Sequence, residues 1–340
     1  MTRRRSLLAG ALATMAVPAT AQDRGPVPLP APLPNRPADF PNRPIELVVA
    51  FPAGGGMDVT ARILAKHAER LTGHRFVVVN RVGGAGMVAH AYMARQAPAD
   101  GHTVGVLSSG VFVDSVLRAQ GLWSMDDLEI AAFINYDPTV WLVAARGPFG
   151  AADLAAIVAQ GRERPETLRV AMLPQSSSEF IIEQVEATTG ARFVKVPFQG
   201  GVPGMTAVLG GHIDVATVFF SEFRSQWEAG AVRPLAVAGS RRVANLPGVP
   251  TFDEVIGGDG IDWAAWRFAV LPKNVAAERR NYLAAVTQRV LDDPEAVREF
   301  LQAGVLLDPS FGTGDAARAS ARRVFDTQLR FLRASGRATN

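Results

Sequence analysis

Five turns in this chain gather small and hydroxyl residues where a helix is about to begin, and their chemistry is anion capture. The first is Phe51-Pro52-Ala53-Gly54-Gly55-Gly56-Met57-Asp58. Three glycines let the backbone bend sharply and come close to a ligand. The helix that follows presents free N–H groups and a partial positive charge, which suit an anion. Asp58 is placed to cap that helix and lies four residues before Arg62, a supportive spacing. The second turn is Asn80-Arg81-Val82-Gly83-Gly84-Ala85-Gly86, and the third is Ser108-Ser109-Gly110. Further on, Pro174-Gln175-Ser176-Ser177-Ser178 and Pro197-Phe198-Gln199-Gly200-Gly201 have the same character. Hydroxyls and amide N–H groups are neutral donors, able to hold a carboxylate without burying a second charge. Taken singly, each serine could do no more than cap a helix. Several such turns converging on one place would make a binding site.

Other chemistries find less support. The first turn lacks the Gly-Lys-Ser/Thr of a nucleotide P-loop. Gly84 to Ala89 fits G-x-G-x-x-A after a strand. A dinucleotide site also needs an acid at the end of the next strand, and that strand ends in Leu107-Ser108-Ser109-Gly110. The five histidines, His67, His74, His90, His102 and His212, form no close ligand pair, so no metal site is expected. His67, His74 and His90 are read as packed or solvated. There is no G-x-S-x-G elbow. No catalytic residue and no cofactor are expected.

The elements that must position these turns alternate along the chain. Ile45 to Phe51 reads as a strand and Asp58 to Leu71 as an amphipathic helix; Arg75 to Asn80, Met87 to Gln96 and Thr103 to Leu107 continue the alternation. A second set follows Gly147-Pro148: strands at 168–173, 192–196, 213–219 and 232–238, with helices at 179–188 and 205–209. The tail from Ala276 to Arg333 reads as mostly helical. Such alternation predicts doubly wound, mostly parallel sheets. Two apolar stretches, 139–146 and 263–272, lie where the chain would cross between lobes and act as hinge strands. The expected division is 42–143 plus 265–340 for the first lobe and 144–264 for the second.

Length fits two lobes: 340 residues, 48% of them apolar. Residues 1–21 have the layout of a secretory signal, with Arg3, Arg4 and Arg5, an apolar run from Ser6 to Val17, and Ala19-Thr20-Ala21 before Gln22. The arginines resemble a twin-arginine signal and equally fit an Arg-rich start to an ordinary one. Residues 22–41 form a Pro-rich leader. The formal net charge is +3. Cleavage would remove those three arginines and no acid, so the mature chain is neutral and offers no track for nucleic acid. The absence of cysteine excludes disulfides and thiol-linked lipid. A periplasmic, monomeric protein is expected.

With these turns placed, the chain resembles the tripartite tricarboxylate transporter receptors, the Bug-type solute-binding proteins. The matching pieces include Val48-Val49-Ala50-Phe51-Pro52-Ala53-Gly54-Gly55-Gly56-Met57-Asp58, Val78-Val79-Asn80-Arg81, Ala99-Asp100-Gly101-His102-Thr103, Val196-Pro197-Phe198-Gln199-Gly200, Leu209 to Asp214 and Leu246 to Glu254. The resemblance implies a two-lobed periplasmic-binding-protein (type II, Venus-flytrap) fold that closes on a small carboxylate and delivers it to membrane permease subunits. The ligand-binding residues it implies in the first lobe are Ala53, Gly55, Gly56, Met57, Asp58, Gly83, Ala85, Gly86, Ser108 and Ser109. In the second lobe they are Ser177, Ser178, Phe198, Gly200 and Asp214. Met57 stands where the family more often has a small or hydroxyl residue, and Phe198 where it usually has tyrosine. Both make the site greasier, so an aromatic or branched carboxylate is expected rather than citrate. Two alternatives share the same features: a receptor reporting to a membrane sensor kinase, and an exported nucleotide-dependent oxidoreductase.

Overall fold

The computed structural model describes residues 33, 35–119, 121–239, 241–243, 245–257, 260–261, 263–307 and 313–338. The signal at 1–21 and most of the leader at 22–41 lie outside them. The elements run β1 (Ile45–Val49), α1 (Gly56–Thr72), β2 (Phe76–Asn80), α2 (Met87–Arg95), β3 (Thr103–Ser108), α3 (Gly110–Leu117), β4 (Leu128–Asp137) and β5 (Thr139–Ala144). Then come α4 (Leu154–Glu163), β6 (Arg169–Met172), α5 (Ser177–Thr189), β7 (Val194–Pro197), α6 (Gly201–Leu209), β8 (Val215–Phe219), α7 (Phe220–Glu228) and β9 (Val232–Ala238). The chain closes with α8 (Phe252–Ile256), β10 (Ala265–Pro272), α9 (Ala277–Asp292), α10 (Pro294–Gln302) and α11 (Gly314–Ala334).

Two five-stranded sheets result, ordered β2-β1-β3-β10-β4 and β7-β6-β8-β5-β9. In each, three neighbouring strands are parallel, and the two strands beside them add antiparallel pairings. The apolar runs set this arrangement. Every residue of β3 is buried, as a strand covered on both faces must be. One apolar core surrounds the first sheet, and two smaller clusters cover the faces of the second.

The lobe boundary differs from the sequence expectation of 42–143. β5 pairs with β8 and β9, so it belongs to the second sheet. The break falls at Pro138: β4 pairs with β10 up to Asp137, and β5 pairs in the other sheet from Thr139. A proline cannot donate to a ladder, and it ends the pairing there. The expected hinge strands, 139–146 and 263–272, do not pair with each other. They meet at their starts, where the Thr139 hydroxyl donates to the Trp263 carbonyl. The tail also departs from a purely first-lobe role. Leu332 joins the second sheet's core, Phe331 stacks on Phe180 and Trp263, and Arg337 pairs with Glu183.

Candidate ligand-binding site

In both sheets the parallel strands run out towards the other sheet, and the turns after them meet. They enclose a cavity of about 460 Å³ lined by the turns after β1, β2, β3, β6, β7 and β8. The first turns of α1, α3, α5 and α6 face it, and the leading N–H groups of a helix have no partner within that helix. Helix dipoles from both lobes therefore point at one volume.

The scaffolding of the first turn is Asp58. Its carboxylate accepts from Gly54 N at 2.9 Å, from Arg62 Nε at 2.8 Å and from Asn80 Nδ2 at 3.0 Å. Burial alone would raise its pKa, but the Arg62 guanidinium and these N–H donors outweigh it and hold the carboxyl below its usual range. Asn80 also donates to Phe51 O, tying the first turn to the end of β2. Gly56 then comes against the second lobe. A Cβ added there would lie 2.3 Å from Ser221 Oγ and 2.9 Å from an Arg267 terminal nitrogen. Only glycine permits that approach.

In the second lobe, the serines hold their own turn. Ser178 Oγ accepts from Leu173 N at 2.8 Å and meets Ser176 Oγ at 2.8 Å, and Ser176 donates to Leu173 O. Their hydroxyls shape the start of α5, as capping serines do.

Ten of the sequence-predicted residues line the cavity: Ala53, Gly55, Gly56, Met57, Ala85, Ser108, Ser109, Ser177, Ser178 and Gly200. Five do not. Asp58 braces its turn from behind. Gly83 lies against Val88, and Gly86 backs onto the His90 ring. Phe198 packs on the core that contains Met205 and Val208. Asp214 sits at the opposite end of β8, where it accepts from Arg169 N and its guanidinium at 2.8 Å.

The sequence reading missed the charged walls. Arg267, 2% exposed, pairs with the fully buried Asp137 at 2.7 Å and donates to Thr60 Oγ1 at 3.2 Å. Asp137 also accepts from the Ser221 amide and hydroxyl. Beside them, Glu222 accepts from Phe219 N at 3.0 Å. Burial pushes the Glu222 carboxyl up to about 7, helped by Asp137 and opposed by the Phe219 N–H and Arg267. Glu222 retains some accessible surface because it faces the cavity while the rest of it is deep in protein. On another wall, His90 and Asp114 are both buried and meet at 2.6 Å, with Arg118 Nε on the same carboxylate at 2.6 Å. His90 and Asp114 lie 24 residues apart on two helices, and Arg267 and Asp137 lie 130 apart on two strands. No spacing rule links such pairs.

Among the described residues, His67, Asp293 and Glu295 bring three ligating atoms within 4.8 Å. They lie away from the cavity, and Arg70 bonds Asp293 at 2.7 Å, supplying the positive charge that a cation would.

The family model for the tripartite tricarboxylate transporter family receptor matches residues 60–316. Protein BugT of Bordetella pertussis is 27% identical over 283 residues, 82% of this chain and 85% of BugT. Rpa4515 of R. palustris, solved with adipate, superposes with a TM-score of 0.78 at 25% identity, covering 88% of this chain and 99% of that one. The periplasmic binding protein BugD superposes equally well, at 23% identity, over 88% of this chain and all of BugD. Two facing α/β sheets, strand ends meeting at one cavity and a family match across most of the described chain agree: this protein belongs to the tripartite tricarboxylate transporter receptor family.

Proposed function

We propose that this chain is exported to the periplasm, captures a small carboxylate in the intersheet cavity as a monomer, and hands it unchanged to the membrane permease subunits of a tripartite tricarboxylate-type transporter. One observation carries the reading: the N-termini of α1 and α3 from one sheet and of α5 and α6 from the other face a single cavity. Four dipole ends, with leading N–H groups that find no carbonyl within their own helix, suit an anion better than any neutral solute. Arg267 is already matched by Asp137, so the anion's charge is met mainly by amides rather than by a free cation.

Phe51, Met57, Val113, Leu173, Val218 and Trp263 supply apolar walls, which favour an aromatic or branched body over a citrate-like one. The adipate held by Rpa4515 fits the carboxylate class. The packing of Gly56 against Ser221 is the contact that lobe closure makes, and opening would break it. The described residues contain no helix long and apolar enough to cross a membrane, so capture and transport would be divided between this chain and its permease.

A thermal-shift screen with the mature protein tests this reading. Carboxylates of four to ten carbons should raise the melting temperature in a concentration-dependent way, and the matching amides and alcohols should not. A panel in which sugars or amines stabilise and no carboxylate does would overturn it.

A further inference from the structure

His90 departs from the amide-lined character of the rest of the cavity. The ring is 1% exposed, its Nδ1 meets Asp114 Oδ2 at 2.6 Å, and it lines the cavity. Arg118 holds the same Asp114 carboxylate and also donates to Gly84 O and Ala85 O, so it is fully engaged. With an acceptor carboxylate on Nδ1, the neutral ring carries its hydrogen there and presents the Nε2 lone pair. Nε2 is buried and has no hydrogen-bond partner among the described residues. Gln328, from α11, is the second such group. It is 7% exposed, lines the same cavity, and its Oε1 is buried without a partner. Both helices flank α3, whose Val113 and Asp114 also reach the cavity.

Buried polar atoms are rarely left unpaired, because each forfeits its bonds to water. Here both orphans are acceptors, in a wall whose one carboxylate is already matched by a guanidinium. We propose that His90 Nε2 and Gln328 Oε1 form a second subsite, which selects carboxylates carrying a hydroxyl or amide N–H donor away from the carboxylate end. The inference rests on the carboxylate reading above and adds to it the class of the distal group. Asp114 is a positioning residue here: it fixes the ring's tautomer and its aim.

Calorimetric titration of the mature protein tests this with matched probes: pentanoate, 5-hydroxypentanoate and glutarate, and 3-phenylpropanoate with 3-(4-hydroxyphenyl)propanoate. Wild type should bind at least one hydroxy acid roughly tenfold more tightly than its unsubstituted partner, as one buried hydrogen bond would give. His90→Leu should erase that preference, so that each hydroxy acid and its unsubstituted partner bind alike. Gln328→Leu should reduce it, and it serves as the second variant should His90→Leu not fold. In the wild type, 15N spectra of the imidazole should show Nε2 shifting with the hydroxy acid and staying put with the plain acid. Tighter binding of glutarate than of 5-hydroxypentanoate, or an equal loss for hydroxy and plain acids in both variants, would overturn the subsite and leave the carboxylate reading standing. If no probe bound wild type at all, the carboxylate reading itself would fall, and the subsite with it.

Discussion

Arg267 and Asp137 face each other across neighbouring antiparallel strands of the first sheet, 2.7 Å apart and almost completely buried, at the edge facing the second sheet, where β4 ends and β10 begins. The pair joins the two halves of the site. Asp137 takes the Ser221 amide and hydroxyl from the second lobe, and Arg267 lies against Gly56 in the first. Removing either partner strands a buried charge. Arg267→Met should cost about 3–5 kcal/mol in urea unfolding, and Asp137→Asn a similar amount. The double variant should recover much of the loss, which the single values would not predict if the two acted independently.

Glu222 makes the site sensitive to pH. Its carboxyl titrates near 7 in the folded protein, against an ordinary value of 4.5. A raised folded value means the native state holds the proton more tightly than the unfolded chain. The stabilisation is complete below about 4.5 and is lost as pH rises through about 7, an effect on the order of 1–2 kcal/mol once the cavity's own water is allowed for. An incoming carboxylate would prefer the neutral form, with Asp137 and Arg267 already cancelling each other. Affinity for a carboxylate should therefore fall several-fold between about pH 6 and pH 8. Glu222→Gln should flatten that dependence, and calorimetry at both pH values checks it.

Gly56→Val tests the lobe contact. The added side chain has no room between Ser221 and the Arg267 guanidinium. Each lobe keeps its own core, so the variant should fold. Ligand affinity should drop at least tenfold, and X-ray scattering should show a larger radius of gyration with ligand than wild type has. Unchanged affinity would mean that the contact is not part of capture.

Asp58→Ala should weaken the first turn without touching the ligand. It removes the acceptor for Gly54 N, Arg62 and Asn80. A loss of about 1–3 kcal/mol in unfolding is expected. Because the folded pKa lies below the ordinary 3.8, Asp58's contribution is present above that value and fades as pH falls through the depressed one. The difference between wild type and variant should accordingly be flat from neutral pH down to about 4 and shrink only in stronger acid.

The turns were legible in the sequence because their determinants are local. Gly54 to Gly56, Ser108-Ser109 and Ser176 to Ser178 each announce a bend before a helix, and ten of fifteen expected residues line the cavity. Strand alternation gave most elements. β4 was missed, because Glu129, Asn135 and Asp137 interrupt Leu128–Asp137 without a regular period of two, and its role depends on pairing with a strand over a hundred residues later. The lobe boundary slipped for a related reason: β5 follows β4 after the single residue Pro138, and only the partner strands assign the two to different sheets. The family resemblance implied Asp58 and Asp214 as ligand-binding residues, yet each is occupied by an arginine, Arg62 and Arg169. His90 was read as a packed or solvated helix residue. It is packed, but nothing short-range ties it to Asp114 on another helix.

The central claim is that amides from two sheets converge on one anion. Backbone 1H–15N spectra of the mature protein, titrated with the carboxylate that stabilises it most, test this directly. The account predicts that the amides of Gly56 and Gly110 in one lobe and of Ser177 and Gly201 in the other shift together, with one shared dissociation constant. Shifts confined to a single lobe, or centred on a surface away from these helix starts, would contradict it.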